Sequence, residues 1–249
     1  MTGQRRILVV NPNTSEEVTQ AFLAAARAVA PGGVVFDGVT GRFGARIVST
    51  EAENIIAGHS VLDLVAAHAP GHDAVILAIS FDTGLGALRR LLNMPVIGIT
   101  EAAVRAAAAN RRRVGVVIFG EVSRVLYEDL IAGYDVAVVG MESVEIASAA
   151  DYLAPEDKDR RVEKACRNLV AQGAEAVVIC GAAIVGMAAR LQERVLAVPL
   201  FDGTQAVAMC IDLLEAGNNW PVERTPPVGG TVGLSPELAE FLQEGVLKQ

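Results

Sequence analysis

The sequence predicts an α/β protein built as two repeated halves, each a parallel sheet flanked by helices. Short apolar runs alternate with helix-type segments along the chain, which is the order that parallel sheets require. Two apolar runs, at residues 74–79 and 176–179, each end in a small nucleophile-type residue, Ser80 and Cys180. Each is followed by a helix-like segment, a short strand containing proline, and an acidic residue that opens another helix. One structural unit is therefore predicted to occur twice.

In the first half, strands and helices alternate up to the second proline-containing run. The strands are predicted at residues 6–10, 34–39, 74–79 and 94–99, and the helices at residues 16–29, 53–67 and 85–92. The loop at residues 11–15 reads Asn-Pro-Asn-Thr-Ser, and its Thr14 or Ser15 can cap the first helix. The loop at residues 40–49 carries Arg42 and Arg46 and is expected to lie over a cleft.

The second half repeats this alternation. Its strands are predicted at residues 114–119, 136–139, 176–179 and 198–201, and its helices at residues 101–110, 123–131, 157–171 and 204–216. A Gly/Pro-rich tail at residues 217–233 and a short helix from Pro236 complete the chain. We expect the first lobe to comprise residues 1–99 and 208–249, and the second lobe residues 100–207.

Composition excludes several classes of function. The chain has 249 residues, 52% of them hydrophobic, and a net charge of −8, which argues against a nucleic-acid partner. Three widely spaced cysteines fit a reducing compartment, so a cytoplasmic location is expected. We expect no signal peptide and no membrane-spanning segment. The chain also lacks the common nucleotide-binding glycine motifs and clustered metal ligands, which predicts that no metal or organic cofactor is needed.

Two acid/base groups on opposite sides of a cleft can invert a carbon acid. One thiolate removes the α-proton from one face, and the other thiol protonates the opposite face. Strand-end loops of two pseudo-symmetric lobes would place Ser80 opposite Cys180. A helix that begins just after Cys180 would favour its thiolate through free N–H groups and the positive end of the helix dipole.

The sequence resembles the aspartate/glutamate/hydantoin racemase superfamily, and within it the hydantoin (allantoin) racemase branch. The resemblance covers about residues 6–215. Four stretches carry it, namely residues 11–15 (Asn-Pro-Asn-Thr-Ser), 82–85 (Asp-Thr-Gly-Leu), 95–102 (Pro-Val-Ile-Gly-Ile-Thr-Glu-Ala) and 180–181 (Cys-Gly). It implies two α/β lobes with the active site in the cleft between them, and a homo-oligomer.

The resemblance also implies which residues contact a small-molecule substrate. Cys180 and Ser80 would be the catalytic pair, and the substrate would be held by Asn11, Asn13, Thr14, Ser15, Phe81, Asp82, Thr83, Gly84, Gly181 and Ala182. Several of these have structural alternatives. Asn11 and Asn13 also suit a turn, and Asp82 also suits a helix N-cap. Acids such as Glu101 and Asp202 are favoured at helix starts in any case, and Cys166 and Cys210 suit a helical core.

Ser80 departs from the pattern of the racemases, which carry a cysteine at this position. A serine hydroxyl is a far weaker acid than a thiol, and His59, His68 and His72 all lie outside the motif loops. Two interpretations fit this serine: a racemase whose first cysteine was replaced for crystallisation, or a natural one-cysteine member of the superfamily.

We therefore expect a cofactor-independent racemase-type enzyme that acts on the acidic carbon of a hydantoin, an allantoin or a small amino-acid derivative. The alternatives are a one-cysteine enzyme with another reaction (a decarboxylase, isomerase or amide-ring hydrolase) and a non-catalytic binder of small molecules.

Overall fold

The computed structural model describes residues 4–145, 156–195, 197–217 and 230–244. Within them lie two sheets of four parallel strands each. The first sheet contains β1 (Arg5–Asn11), β2 (Val34–Thr40), β3 (Ala74–Leu77) and β4 (Val96–Gly98) in the order β2-β1-β3-β4. The second contains β5 (Val114–Phe119), β6 (Val138–Val144), β7 (Ala176–Ile179) and β8 (Leu200–Phe201) in the order β6-β5-β7-β8. The identical order confirms the predicted repeat.

Helices flank both sheets. In the described residues they are α1 (Glu16–Val29), α2 (Glu51–His68), α3 (Leu85–Leu91), α4 (Ile99–Ala108), α5 (Arg124–Ala132), α6 (Glu156–Ala171), α7 (Met187–Gln192), α8 (Gln205–Glu215) and α9 (Pro236–Glu244). Short 3-10 turns occur at Ala109–Arg111, Glu121–Ser123 and Ala182–Ile184. None of the helices in the described part of the chain is long and apolar enough to cross a membrane.

The two central strands of each sheet pair with each other in an equivalent register. Val10 of β1 pairs with Leu77 of β3, and Val117 of β5 pairs with Ile179 of β7. Every residue of β3, β5 and β7 is buried, because helices cover both faces of each sheet. The carboxyl ends of these strands therefore open into the loops that carry Ser80 and Cys180.

The helices divide between the two faces of the first sheet. Residues of α2 and α3 pack with Leu8, Val10 and Leu77 on one face, and α9 extends this cluster through Phe241. Residues of α1 and α8 pack with Ile7 on the other face. α4 lies between the sheets, because its residues join the clusters of both.

Most element boundaries differ from the predicted ones by one to three residues. The largest difference is β6, predicted at residues 136–139 but found at Val138–Val144. The strand was predicted from a run of apolar residues, and the polar residues Glu142 and Ser143 interrupt that run. An edge strand such as β6 does not need to be apolar throughout. The predicted Gly/Pro-rich tail falls largely on residues 218–229, which lie outside the described residues.

Candidate active site

The loops after β3 and β7 meet between the two sheets. The backbone N–H of Ala182 donates a hydrogen bond of 3.2 Å to the hydroxyl of Ser80, 102 residues earlier in the chain. Ser80 is partly buried, whereas Cys180, which follows β7 directly, is almost fully buried. The repeat thus brings together the two loops that the sequence singled out.

A cavity of about 460 Å³ opens beside this junction. Strand-end loops from both sheets line it, together with parts of the neighbouring helices. The lining residues are Asn13, Val18, Ala45, Arg46, Ile47, Val48, Ser49, Glu53, Ile79, Ser80, Phe81, Phe119, Gly120, Val122, Ser123, Tyr127, Ala182 and Ala183. Of the predicted site residues, Asn13, Ser80, Phe81 and Ala182 therefore lie at the cavity wall.

The other residues of the first loop do not line the cavity. Asn11 is fully buried, and its amide donates to the side chains of Asn13 and Thr19 and to the backbone carbonyl of Ser15. Thr14 is exposed to solvent, and the hydroxyl of Ser15 donates to Glu17. Asn11 thus shapes the turn that presents Asn13, which is the structural alternative for this residue.

The residues after Ser80 also turn away from the cavity. The hydroxyl of Thr83 donates to the Asn54 side chain on α2. Gly84 has a φ of +80° and precedes the first residue of α3, a conformation that favours glycine. Both residues hold the loop in place rather than lining the cavity.

Cys180 lies in a separate crevice that has no room for a water molecule. Gly181 and Thr100 also line this crevice. Burial, with a smaller contribution from the negative charge of Asp82, raises the pKa of the Cys180 thiol. This corrects the expectation of a favoured thiolate. A 3-10 turn of three residues follows Gly181 instead of an α-helix, and α7 begins only at Met187.

Asp82 occupies a buried cradle between the lobes. Its carboxylate accepts hydrogen bonds from the backbone N–H groups of Thr100 (3.1 Å) and Glu101 (2.7 Å) and from the hydroxyl of Tyr134 (2.6 Å). Asp82 thus caps the N-terminus of α4, the helix after β4, and not the helix that follows it in sequence. Its φ of +46° is in the left-handed region, an uncommon conformation for a residue with a Cβ.

The same arrangement occurs in reverse in the second lobe. The Asp202 carboxylate, which follows β8, accepts from the backbone N–H groups of Gly186 (2.8 Å) and Ala188 (2.9 Å) at the start of α7. Glu101, by contrast, is paired with Arg89 and Arg105. Burial opposes its ionisation, but the pair with Arg89, helped by Arg105, holds the pKa of Glu101 below its usual range.

Comparison with known proteins identifies this architecture. A sequence profile described as Asp/Glu/hydantoin racemase matches residues 7–211. The chain belongs to the Asp/Glu/hydantoin racemase family. It is 27% identical over 218 residues to a hydantoin racemase from Paenarthrobacter aurescens, covering 85% of this chain and 91% of that protein.

Two solved allantoin racemases have the same fold. The enzyme from Pseudomonas fluorescens superposes with a TM-score of 0.81 at 30% identity, covering 92% of this chain and 100% of that one. The enzyme from Klebsiella pneumoniae gives a TM-score of 0.80 at 29% identity, covering 94% and 93%. As in the racemases of this family, two α/β lobes make up the chain, and here their junction carries Ser80 and Cys180.

Sequence reasoning missed the part of the cavity that the second lobe supplies. Phe119 at the end of β5 lines one side together with Gly120, Val122 and Ser123, and the ring of Tyr127 on α5 packs at a tilt against Phe81 with ring centroids 4.8 Å apart. The sequence did contain a signal, because β5 has the same place in the second sheet as β1 in the first, and the loop after β1 had already been singled out. The loop at residues 40–49 was correctly expected to cover a cleft, and its residues 45–49 line the cavity.

Charged groups in this lining lie at one side of the cavity. The guanidinium of Arg46 is 3.3 Å from Glu17 and remains largely exposed. Burial opposes ionisation of Glu53, but the N–H groups of Ser49 and Thr50 donate to it, and its pKa is lowered. Arg42 is exposed and does not line the cavity. No group of three potential ligands among His, Cys, Asp and Glu could hold a metal within the described ranges.

Proposed function

We propose that this protein is a cofactor-independent racemase that moves a proton at the acidic carbon of a hydantoin, an allantoin or a small amino-acid derivative. Cys180 would serve as acid/base on one face of that carbon, and Ser80 would occupy the opposing position. The observation that carries the proposal is the hydrogen bond from the N–H of Ala182 to Ser80, which joins the two strand-end loops beside the cavity.

The cavity suits a cyclic ureide. Its volume of about 460 Å³ is within the usual range for small-molecule sites, about 300–1,000 Å³. Phe119, Val122 and Tyr127 supply an apolar wall for a ring substituent, while Asn13 offers an amide toward polar ring atoms. Such donors would stabilise the enolate that forms when the α-proton leaves.

Catalysis by Cys180 requires a local change in this arrangement. Its crevice is separate from the cavity, so the loop at residues 180–183 must shift for the thiol to reach a bound ring. As a thiolate, Cys180 would accept the α-proton and leave the substrate as the enolate. The resulting thiol would exchange its proton with solvent and return a proton to the same face, which restores the thiolate. Ser80 is a poor partner for this exchange, because its hydroxyl ionises far less readily than a thiol.

The decisive experiment is Ser80→Cys, assayed by polarimetry on a panel of 5-substituted hydantoins and allantoin, with α-proton exchange in D2O followed by NMR. The unmodified protein should incorporate deuterium with little or no inversion. A lost acid/base group typically costs about 10²–10⁴-fold in rate, so Ser80→Cys should increase inversion by about that factor. Ser49→Cys is the matched control, because it adds a thiol elsewhere in the same cavity and should produce no gain.

The alternatives give different results. If Ser80→Cys brings no gain with any hydantoin, while another substrate turns over and requires both Ser80 and Cys180, a one-cysteine enzyme of a different reaction type is favoured. Saturable binding of a hydantoin with no exchange in any variant would indicate a non-catalytic binder. A homo-oligomer in the cytoplasm stays part of the proposal, and gel filtration with light scattering tests the assembly.

A further inference from the structure

A carboxylate, Glu53, lines the cavity from the first turn of α2. One of its oxygens, Oε2, accepts the backbone N–H groups of Ser49 and Thr50, both at 2.9 Å. The other oxygen, Oε1, accepts no hydrogen bond from the residues that the structure describes, and it is not shut off from solvent. Glu53 therefore has an accessible acceptor that its own structural contacts do not use.

Within the described part of the chain, the negative charge of Glu53 has no cation paired with it, because both of its donors are neutral N–H groups. Burial opposes ionisation, but these donors hold the pKa of Glu53 below its usual range, so the carboxylate is charged at neutral pH. Arg46 also lines the cavity, but it is paired with Glu17 at 3.3 Å and its side chain is 61% exposed. The charge of Arg46 is thus offset, whereas that of Glu53 is not.

Two sets of contacts fix the position of Glu53 relative to Ser80. In the capping box of α2, the hydroxyl of Thr50 accepts the Glu53 backbone N–H, while the Glu53 carboxylate accepts the N–H of Thr50. The next residue, Asn54, accepts from the hydroxyl of Thr83, which belongs to the loop after Ser80. Ser80 and Glu53 are therefore held in a defined arrangement at the wall of the same cavity.

We propose that Glu53 determines substrate specificity by accepting a hydrogen bond through Oε1 from the ring substituent, so that the preferred substrate is a hydantoin whose 5-substituent carries an ammonium, guanidinium or ureido group. The apolar wall of Phe119, Val122 and Tyr127 suits the hydrocarbon part of such a substituent. The inference rests on the proposed function in taking a hydantoin as the ligand of this cavity. It goes further in naming the chemistry of the substituent and the residue that recognises it.

An ionised acceptor discriminates between substituents by the groups that they carry. An N–H donor replaces the water that otherwise solvates Oε1 of Glu53. An apolar end displaces that water and leaves the oxygen without a partner, which is unfavourable. A carboxylate would bring a second negative charge close to the first one. We therefore expect affinity to fall from cationic through apolar to anionic substituents of similar length.

The test measures dissociation constants by isothermal titration calorimetry for three hydantoins whose 5-substituents are 3-aminopropyl, butyl and 2-carboxyethyl. The unmodified protein should bind the aminopropyl compound about 2- to 12-fold more tightly than the butyl compound, the usual net effect of one hydrogen bond. The carboxyethyl compound should bind most weakly. Because the readout is binding and not turnover, it does not depend on the proton transfer assigned to Ser80 and Cys180.

Glu53→Gln separates the acceptor in the cavity from the helix cap. The amide oxygen can take the place of Oε2 and accept the same two N–H groups, which puts an NH2 donor in the place of Oε1. This variant should lose the preference for aminopropyl, keep its affinity for butyl and bind carboxyethyl more tightly than the unmodified protein does. Glu51→Gln is the matched control, because it removes a charge from the same helix turn at an exposed position outside the cavity lining, and it should leave the order unchanged.

The possible outcomes separate this inference from the racemase proposal. Equal affinities for aminopropyl and butyl, tightest binding of carboxyethyl, or an equal change of preference in Glu51→Gln would overturn the inference and leave the racemase proposal standing. If none of the three hydantoins binds, both are wrong. A preference that requires Glu53, without α-proton exchange in any variant, would support the inference while the racemase proposal fails.

If Glu53→Gln does not fold, the unmodified protein decides by NMR. The aminopropyl compound should shift the amide resonances of Ser49 and Thr50 far more than the butyl compound does, because their N–H groups donate to the carboxylate that would receive the ammonium group. Equal shifts of these two resonances with both compounds would overturn the inference.

Discussion

Titration of Asp82 should make the stability of this protein fall as the pH rises. Burial raises the pKa of this carboxyl to about 7 from its ordinary value of 3.8, although three hydrogen-bond donors oppose the shift. Between these two pH values, the folded state keeps a proton that the unfolded chain releases. The stabilisation is complete below the unfolded pKa and is lost as the pH rises through the folded one.

The size of the effect follows from the difference between the two pKa values, about 7 − 3.8, or roughly three units. Each unit corresponds to about 1.4 kcal/mol, so the whole window is worth about 4 kcal/mol. Because part of this loss occurs below pH 5, we expect Asp82 to lower the free energy of unfolding by about 2–3 kcal/mol between pH 5 and pH 8.

The assay is urea unfolding at several pH values from 5 to 8 for the unmodified protein and for Asp82→Asn. The readout is the difference between the two pH dependences, because both share every other titrating group. Absolute stability is less informative, since the amide introduced by this substitution would place its own N–H group among donors that face the carboxylate. Tyr134→Phe removes a donor that lowers the pKa of Asp82, so its stability loss should extend to higher pH.

If Asp82→Asn kept the full pH dependence of the unmodified protein, Asp82 would be ionised throughout this range and the reasoning would be refuted. The same holds if Tyr134→Phe moved the transition to lower pH, because a lost donor can only disfavour the carboxylate.

Two further predictions concern the residues that hold this site in shape. A Cβ at Gly98 would lie 2.3–2.6 Å from the Asp82 carboxyl atoms, so Gly98→Ala should lower the unfolding free energy by about 1–3 kcal/mol; Gly86→Ala, where a Cβ meets nothing within 4 Å, should not be destabilising. Asn11→Ala removes the donor to the buried carbonyl of Ser15 and the hydroxyl of Thr19, and should lower the free energy of unfolding in urea by about 1–3 kcal/mol. Thr14 is exposed, so Thr14→Ala should change this free energy by less than about 0.5 kcal/mol.

The repeated architecture could be predicted because its signals are local. Apolar runs such as β5 and β7 are continuous and bounded by glycine or polar residues, and their spacing along the chain repeats. The loop after β1 could likewise be singled out, because its proline and asparagines end the strand whatever surrounds them.

Contacts between distant segments could not be predicted as well from the sequence. The sequence offered Asp82 as a helix N-cap, and the structure shows that its carboxylate caps α4, which lies beyond the next strand. An N-cap residue is recognised by its type, whereas the N–H groups that it reaches depend on which strands lie side by side. For the same reason, the hydrogen bond from Tyr134 to Asp82, which is 52 residues away, could not be predicted from the sequence around either residue.

The sequence by itself determined the fold class, the repeat and the two strand-end positions, because hydrophobic periodicity and turn residues act over a few neighbouring positions. Only the tertiary structure decided the chemical state of those positions. Cys180 is buried, which raises the pKa of its thiol, whereas Ser80 lines the cavity, although both follow similar strands. Burial and nearby charge, which control ionisation, are sums over groups brought together from both lobes.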